Sequence, residues 1–177
     1  KEHQDGDDDD HYVDRNSPDP DARFGRKTPK KGFYGYKCHM VQDADSDFII
    51  QVKATPGNVA DAAVLPELAQ PPGREMTGDK AYDSKANRSH LVALVITPGL
   101  QPRYPRPGRP RKSWQERPQI ERKFAECKQF HGLRQARYWG LAKVSIQTFM
   151  VALVVNLKRW VALLKLRSPA FSWASAP

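Results

Sequence analysis

The segment Trp114-Gln-Glu-Arg117-Pro-Gln-Ile-Glu121-Arg-Lys-Phe124-Ala-Glu-Cys-Lys128 places a proline directly after Arg117. Proline suits the first turn of a helix, where its missing N–H would have had no partner, and 119–130 continues as a helical run to a His131-Gly132 stop. At about 100° per residue, Arg117, Glu121 and Lys128 fall at about 0°, 40° and 20°, so one carboxylate shares a helix face with two cations. A solvated ion-pair face, with Glu121 bonded to Arg117, accounts for that arrangement on its own. Phe124, at about −20°, and Ile120 adjoin the same face, which predicts that it meets the protein body or a ligand.

Working outward, six prolines from Pro98 to Pro118 are interleaved with arginines, so 98–117 reads as an extended basic loop carrying Arg103, Arg106, Arg109, Arg111 and Lys112. Farther upstream, Phe33, Tyr34, Tyr36, Cys38 and Met40 form one strand-like run and Phe48, Ile49, Ile50 and Val52 another. The Asp-rich stretch 43–47 between them predicts a β-hairpin. Thr55-Pro-Gly-Asn58 breaks the sheet, and the apolar residues from Val59 to Leu68 predict a short helix ending before Pro71. A short strand over 74–77 then leads into Gly78-Asp79-Lys80-Ala81-Tyr82-Asp83-Ser84, which places Asp79 at a strand end, where ligands bind in α/β sheets. Alternatively Asp79 sits in a turn; Asp83 or Ser84 reads as the cap of a helix from Ser84 to about Leu94, and a strand over 92–97 completes a βαβ-like unit. Downstream, 141–166 is a long amphipathic helix. The element order is α/β.

At 177 residues the chain has the length of one domain, with 39% hydrophobic and 28% charged residues. Four Trp, six Tyr and seven Phe supply the large apolar groups that disordered chains lack. Two cysteines, Cys38 and Cys127, exclude a disulfide framework and read as free thiols in a reducing cytoplasm. The longest uncharged run of the 141–166 segment is Val144 to Leu157, too short to span a bilayer, so that helix is assigned to the core with no membrane partner. Residues 1–21 hold nine acids and two bases, a net of −7, and read as a flexible acidic tail; the rest must carry +16 to give the overall +9. From Gln101 to Lys143 twelve Lys or Arg face three Glu, a balance that suits phosphates.

Trp114-x2-Arg117-x3-Glu121-x6-Lys128 resembles the Tyr-x2-Arg-x3-Glu-x6-Lys signature of bacterial insertion-sequence transposases of the DDE type, with Trp in place of Tyr. Asp79-x-Ala81-Tyr82-Asp83 is similar to the family's second-aspartate motif. Asp19-Pro-Asp-Ala-Arg23, Tyr34-Gly-Tyr-Lys37-x-His39, Thr55-Pro-Gly-Asn-Val-x-Asp61 and His131-Gly-Leu-Arg-x-Ala-Arg-Tyr138 also resemble family segments, in the family's order. The resemblance implies a ribonuclease-H-like α/β fold in which carboxylates hold two divalent metals, Mg²⁺ or Mn²⁺. Asp79 and Glu121 would be the second and third ligands, converging to within about 4 to 8 Å. It further implies that Arg117, Lys128 and Trp114 hold DNA near the scissile phosphate, beside the basic loop.

The family's first aspartate lies on an apolar strand ahead of the hairpin. Before Gly32 only Tyr12, Val13 and Phe24 are large and apolar, so no central buried strand is expected and no residue of this chain takes that place. The expectation is an incomplete catalytic domain over 22–166, a C-terminal tail over 167–177, and no catalysis by this chain alone. A non-catalytic DNA-binding remnant and an unrelated nuclease are the alternatives. The resemblance also implies action at the bacterial nucleoid in the cytoplasm, on element ends and target DNA, and pairing of two copies.

Overall fold

The computed structural model describes residues 17–28, 31–70, 73–102 and 117–167. Among these residues five strands and four helices follow in the order β1 (Arg23–Thr28), β2 (Lys31–Gln42), β3 (Ile49–Pro56), α1 (Asp61–Leu68), β4 (Glu75–Gly78), α2 (Lys85–Ala93), β5 (Thr97–Leu100), α3 (Arg117–Phe130) and α4 (Leu141–Arg167). A 3₁₀ turn, Lys80–Tyr82, lies between β4 and α2. The mixed α/β architecture matches the expectation. The acidic tail to Asn16, most of the basic loop and the tail beyond Arg167 lie outside the described residues.

The hairpin forms where alternation predicts it. Tyr36–Gln42 of β2 pairs antiparallel with β3, from Tyr36 opposite Pro56 to Gln42 opposite Ile49. Its turn closes through the Asp43 N–H donating to the Phe48 carbonyl at 2.8 Å, while the Asp43 carboxylate accepts from the Ser46 N–H at 2.8 Å. Asp47 takes a left-handed backbone, φ 67°, which short polar side chains tolerate.

β1 is an addition to the expected elements, a charged edge strand with little apolar content that pairs antiparallel with Lys31–Gly35. Two glycines let it cross the end of β3: a Cβ on Gly25 would sit 2.4 Å from the Gly57 oxygen, and one on Gly57 2.4 Å from the Arg23 oxygen. β4 and β5 pair in parallel, Glu75 opposite Thr97 and Gly78 opposite Leu100.

The expected strand over 92–97 is corrected to Thr97–Leu100, and regular structure extends into the segment assigned to the basic loop. α2 runs through Val92, then ends with Val95 left-handed at φ 60° and the Ile96 N–H reaching back to the Leu91 carbonyl at 2.8 Å. Proline and glycine are tolerated in β5 because alternate residues face β4. The Thr97 and Gln101 N–H groups donate to Arg74 and Gly78, so the N–H that Pro98 lacks falls on the open edge.

Two apolar clusters hold these elements. Ile49 and Val52 meet Cys127 of α3 and Val151, Ala152 and Val155 of α4. Leu65, Leu91, Ile96 and Leu100 join α1, α2 and β5 in the second. Asn156 of α4 also grips the first residue of β3 on both backbone groups, accepting from the Ile49 N–H and donating to its carbonyl, each at 2.8 Å.

The N-terminus of α4 is tied to the Asp19-Pro-Asp segment. Asp19 Oδ1 accepts from the N–H groups of Asp21, Ala22 and Gly140 and from the Tyr36 hydroxyl at 2.6 Å, and Asp21 Oδ2 accepts from the Leu141 N–H at 2.7 Å. Two carboxylates at the start of a 27-residue helix satisfy otherwise unpaired donors and complement its dipole. Burial would raise the Asp19 pKa, but the converging donors outweigh it and hold the carboxyl below its ordinary value.

Assignment of α4 to the core is right for one face only. Val144, Thr148, Val151 and Val155 are buried, whereas Ile146, Met150, Leu153, Leu157, Trp160 and Leu164 are exposed. Among the described residues it is also the one helix whose length and composition would suffice to cross a membrane.

Candidate active site

Asp79 ends β4 with extended backbone, and its Oδ1 accepts from the Lys80 N–H at 2.6 Å, capping the 3₁₀ turn. Asn87, buried in α2, fixes that turn by donating to the Tyr82 carbonyl at 2.8 Å, and donates equally to the Ala62 carbonyl. Pro66 cannot supply the N–H that would ordinarily bond Ala62 within α1, so Asn87 satisfies the carbonyl a proline leaves orphaned. Ser84 caps α2 through the Asn87 N–H at 3.0 Å, as expected. The neighbouring Asp83 pairs its carboxylate with Arg88 at 2.5 Å, and Arg88 also reaches the Leu100 carbonyl.

Tyr82 brings the sheet to this turn. Its hydroxyl lies 3.1 Å from His39 Nδ1, and His39 Nε2 lies 3.0 Å from Thr55 Oγ1. The two rings meet edge to face, 6.4 Å apart. Beside them Lys37 donates to the Asp61 carboxylate at 3.0 Å and to the Val59 carbonyl at 2.8 Å. Burial holds the His39 pKa below its ordinary value despite Asp61, so the imidazole is neutral, one nitrogen donating and the other accepting. Burial, with the nearby carboxylates of Asp61 and Asp79, pushes Tyr82 up to about 12.

Sequence reasoning did not assign His39, Thr55, Asp61 and Tyr82 to the site. The signal lay in the quoted segments around Lys37, Thr55 and Asp79, whose side chains converge across gaps of 16 to 43 residues.

Glu121 and Lys128 lie on the exposed side of α3, with Lys128 Nζ 5.6 Å from the Phe124 ring centre. Ile120 and Phe124, which adjoin them, are half-buried. The inward face carries Lys123 and Cys127, and Lys123 donates to Asp47 of the hairpin turn at 2.9 Å. Glu121 and Lys128 are thus on the side of the helix from which a ligand could approach.

Arg117 opens the helix, while Trp114, Arg103, Arg106, Arg109, Arg111 and Lys112 lie outside the described residues. Both cysteines are unpaired, as expected, and burial pushes the Cys38 thiol up to about 12.

Carboxylate oxygens are suitable ligands for Mg²⁺ or Mn²⁺. Asp79 and Glu121 provide two such groups from separate elements. Among the described residues no three His, Cys, Asp or Glu side chains form a group able to hold a metal ion.

The family described as Transposase DDE domain matches residues 3–157. Over 167 residues the chain is 32% identical to the transposase for insertion sequence element IS1106 of Neisseria meningitidis serogroup B. The alignment covers 87% of this chain and 56% of that protein, so the chain spans little more than half the relative's length. The family match runs through both apolar clusters, from the segment ahead of β1 into α4, and the chain therefore belongs to the Transposase DDE domain family.

Proposed function

We propose that this chain is part of the catalytic domain of a DNA transposase, with a ribonuclease-H-like arrangement, in which Asp79 and Glu121 supply two of the carboxylates that hold divalent metal ions. The observation that carries the reading is Asp79 at the end of β4, braced through Tyr82 and His39 onto the sheet. Strand pairing supports a further element beside it. Among the described residues, β2 pairs along Tyr36–Gln42 with β3 alone and β4 with β5 alone, which leaves each an edge to which a strand carrying another carboxylate can add.

Bound there, Mg²⁺ or Mn²⁺ supplies activation of a water or 3′-hydroxyl and neutralisation of the leaving oxygen in an in-line displacement. The chain's own residues orient and bind. Asn87 and the His39–Tyr82 contact hold the Asp79 turn still. Arg117, Lys128 and the loop cations Arg103, Arg106, Arg109, Arg111 and Lys112 neutralise phosphates, and Trp114 offers a stacking surface. Insertion-element ends and target DNA at the bacterial nucleoid are the substrates of this reading.

A nicking assay in Mg²⁺ or Mn²⁺ tests it by comparing this chain with one extended upstream through a carboxylate-bearing strand. The expected result is cleavage by the longer chain alone, lost in Asp79→Ala and Glu121→Ala. Cleavage that survives both substitutions, or none by either chain, contradicts the assignment.

A further inference from the structure

The second half of α3 meets the body of the protein in the ordinary way. Cys127 is fully buried in a cluster with Ile49, Val52 and Val151, and Glu126 pairs with Lys158 of α4 at 2.5 Å. The first half, which carries Glu121, is held differently. Of the described residues 119–123, Gln119 and Ile120 are half-buried, Glu121 and Arg122 are exposed, and the one buried side chain is Lys123. Its ammonium donates to Asp47 Oδ2 at 2.9 Å, and 9% of the side chain is exposed.

Asp47 is itself a fixed point. Its backbone is left-handed in the turn between β2 and β3, and its N–H donates to the Asp43 carbonyl at 3.0 Å. Oδ1 accepts from the Gln42 side chain of β2. Arg159 of α4 lies 3.8 Å from Oδ2 and donates to the neighbouring Ser46 carbonyl at 3.0 Å. The hairpin turn, α3 and α4 therefore meet at one carboxylate.

Stability alone does not call for a lysine at this position. Replacing a buried ion pair by apolar side chains is often neutral or stabilising, and what the pair adds is direction and register. The apolar contact at Cys127 has no direction of its own. Residues two apart on a helix lie about 200° around its axis and about 3 Å along it, so a nitrogen pinned at Lys123 sets both the rotation and the height of Glu121 on the opposite side.

We infer that Lys123 is the positioning residue of Glu121: anchored on Asp47, it fixes the rotation and register of α3 and so where the Glu121 carboxylate stands. The consequence for metal binding rests on the reading in which Glu121 is a metal ligand, whereas the consequence for the helix does not.

Three variants of the isotopically labelled 177-residue chain separate positioning from stabilisation. Lys123→Met keeps the bulk of the side chain and removes its donor, leaving Asp47 with Gln42 and Arg159. Lys123→Arg restores a donor, and Asp47→Asn removes the charge while tolerating the left-handed backbone. In Lys123→Met the urea midpoint should hold or rise, while the residual dipolar couplings of the 119–125 amides shift and those of β2, β3 and α4 do not. Asp47→Asn should behave alike, and Lys123→Arg should return the parent couplings. Lys123→Met should also need about tenfold more Mn²⁺ to broaden the amides of Asp79 and Glu121 to the parent's extent, as loss of a supporting residue does at a metal site. Unchanged α3 couplings in Lys123→Met, or shifted couplings that Lys123→Arg does not restore, overturn the inference. Shifted couplings with an intact Mn²⁺ response also overturn it, because Glu121 would then find its place without Lys123. A parent chain in which Glu121 gives no response to Mn²⁺ contradicts the metal reading, and the couplings alone then decide the inference.

Discussion

Replacing Asp19 by alanine removes the acceptor on which four donors converge, the N–H groups of Asp21, Ala22 and Gly140 and the Tyr36 hydroxyl. Hydrogen bonds to an ionised group contribute roughly 1.5–3 kcal/mol each, but four on one carboxylate are not additive and water reaches some of the donors afterwards, so we expect a loss of about 3–5 kcal/mol. With a urea m-value of ~2 kcal/mol/M, the unfolding midpoint should fall by about 1.5–2.5 M. Asp19→Asn retains one acceptor oxygen and should lose about half as much. Tyr36→Phe should be non-additive with Asp19→Ala, with a coupling of roughly 1–2 kcal/mol from a double-mutant cycle.

The pH dependence has a defined sign. The folded carboxyl titrates below the ordinary value it has in the unfolded chain, so the stabilisation is full above that ordinary value and is lost as pH falls through the lower, folded pKa. A midpoint change under 0.5 M for Asp19→Ala, or strict additivity with Tyr36→Phe, would refute the claim that this carboxylate anchors α4.

Acidification should also be felt at His39. Its folded pKa lies below the ordinary histidine value of about 6.5, so the unfolded chain binds the proton first and stability declines as pH drops through that value, by at most about 1.4 kcal/mol per pH unit. Urea midpoints between pH 5 and 7.5 should show this slope reduced in His39→Gln. Val95→Gly should raise stability by about 0.5–1 kcal/mol in the same assay, because Val95 occupies a left-handed helix terminus that favours glycine. Duplex DNA binding should weaken steeply with salt, and substituting Arg103, Arg106, Arg109 and Arg111 together with alanine should flatten the log–log slope by up to about 3.6.

The hairpin was legible because alternation of apolar residues around an Asp-rich turn is a local property, and the strand-to-turn position of Asp79 was legible for the same reason. β1 was not, because Arg23-Phe-Gly-Arg-Lys-Thr28 carries no alternating apolar face and is held by backbone pairing and by the Gly25–Gly57 crossing. β5 was displaced because Val92 to Val95 reads as strand by composition, whereas the helix carries on through Val92 and turns back at Val95. The inward face of α3 was not legible because it carries Lys123, a buried lysine that Asp47 makes tolerable. At the site, the His39–Tyr82–Thr55 brace joins residues whose proximity no spacing rule predicts. The Asp19-Pro-Asp segment was recognised as a family-like motif, but its task of capping a helix more than 110 residues away appears only in three dimensions.

In the proposed reading Asp79 and Glu121 share one metal site. Mn²⁺ titrated into the isotopically labelled chain broadens amide resonances within roughly 15 Å of where it binds, a readout that weak binding by an incomplete ligand set does not defeat. The account predicts that the amides of Asp79 to Tyr82 and of Glu121 and Arg122 broaden together, and that Asp79→Ala removes the effect at both. Broadening at one group without the other, or at neither while the acidic residues Asp7 to Asp10 respond, would contradict it.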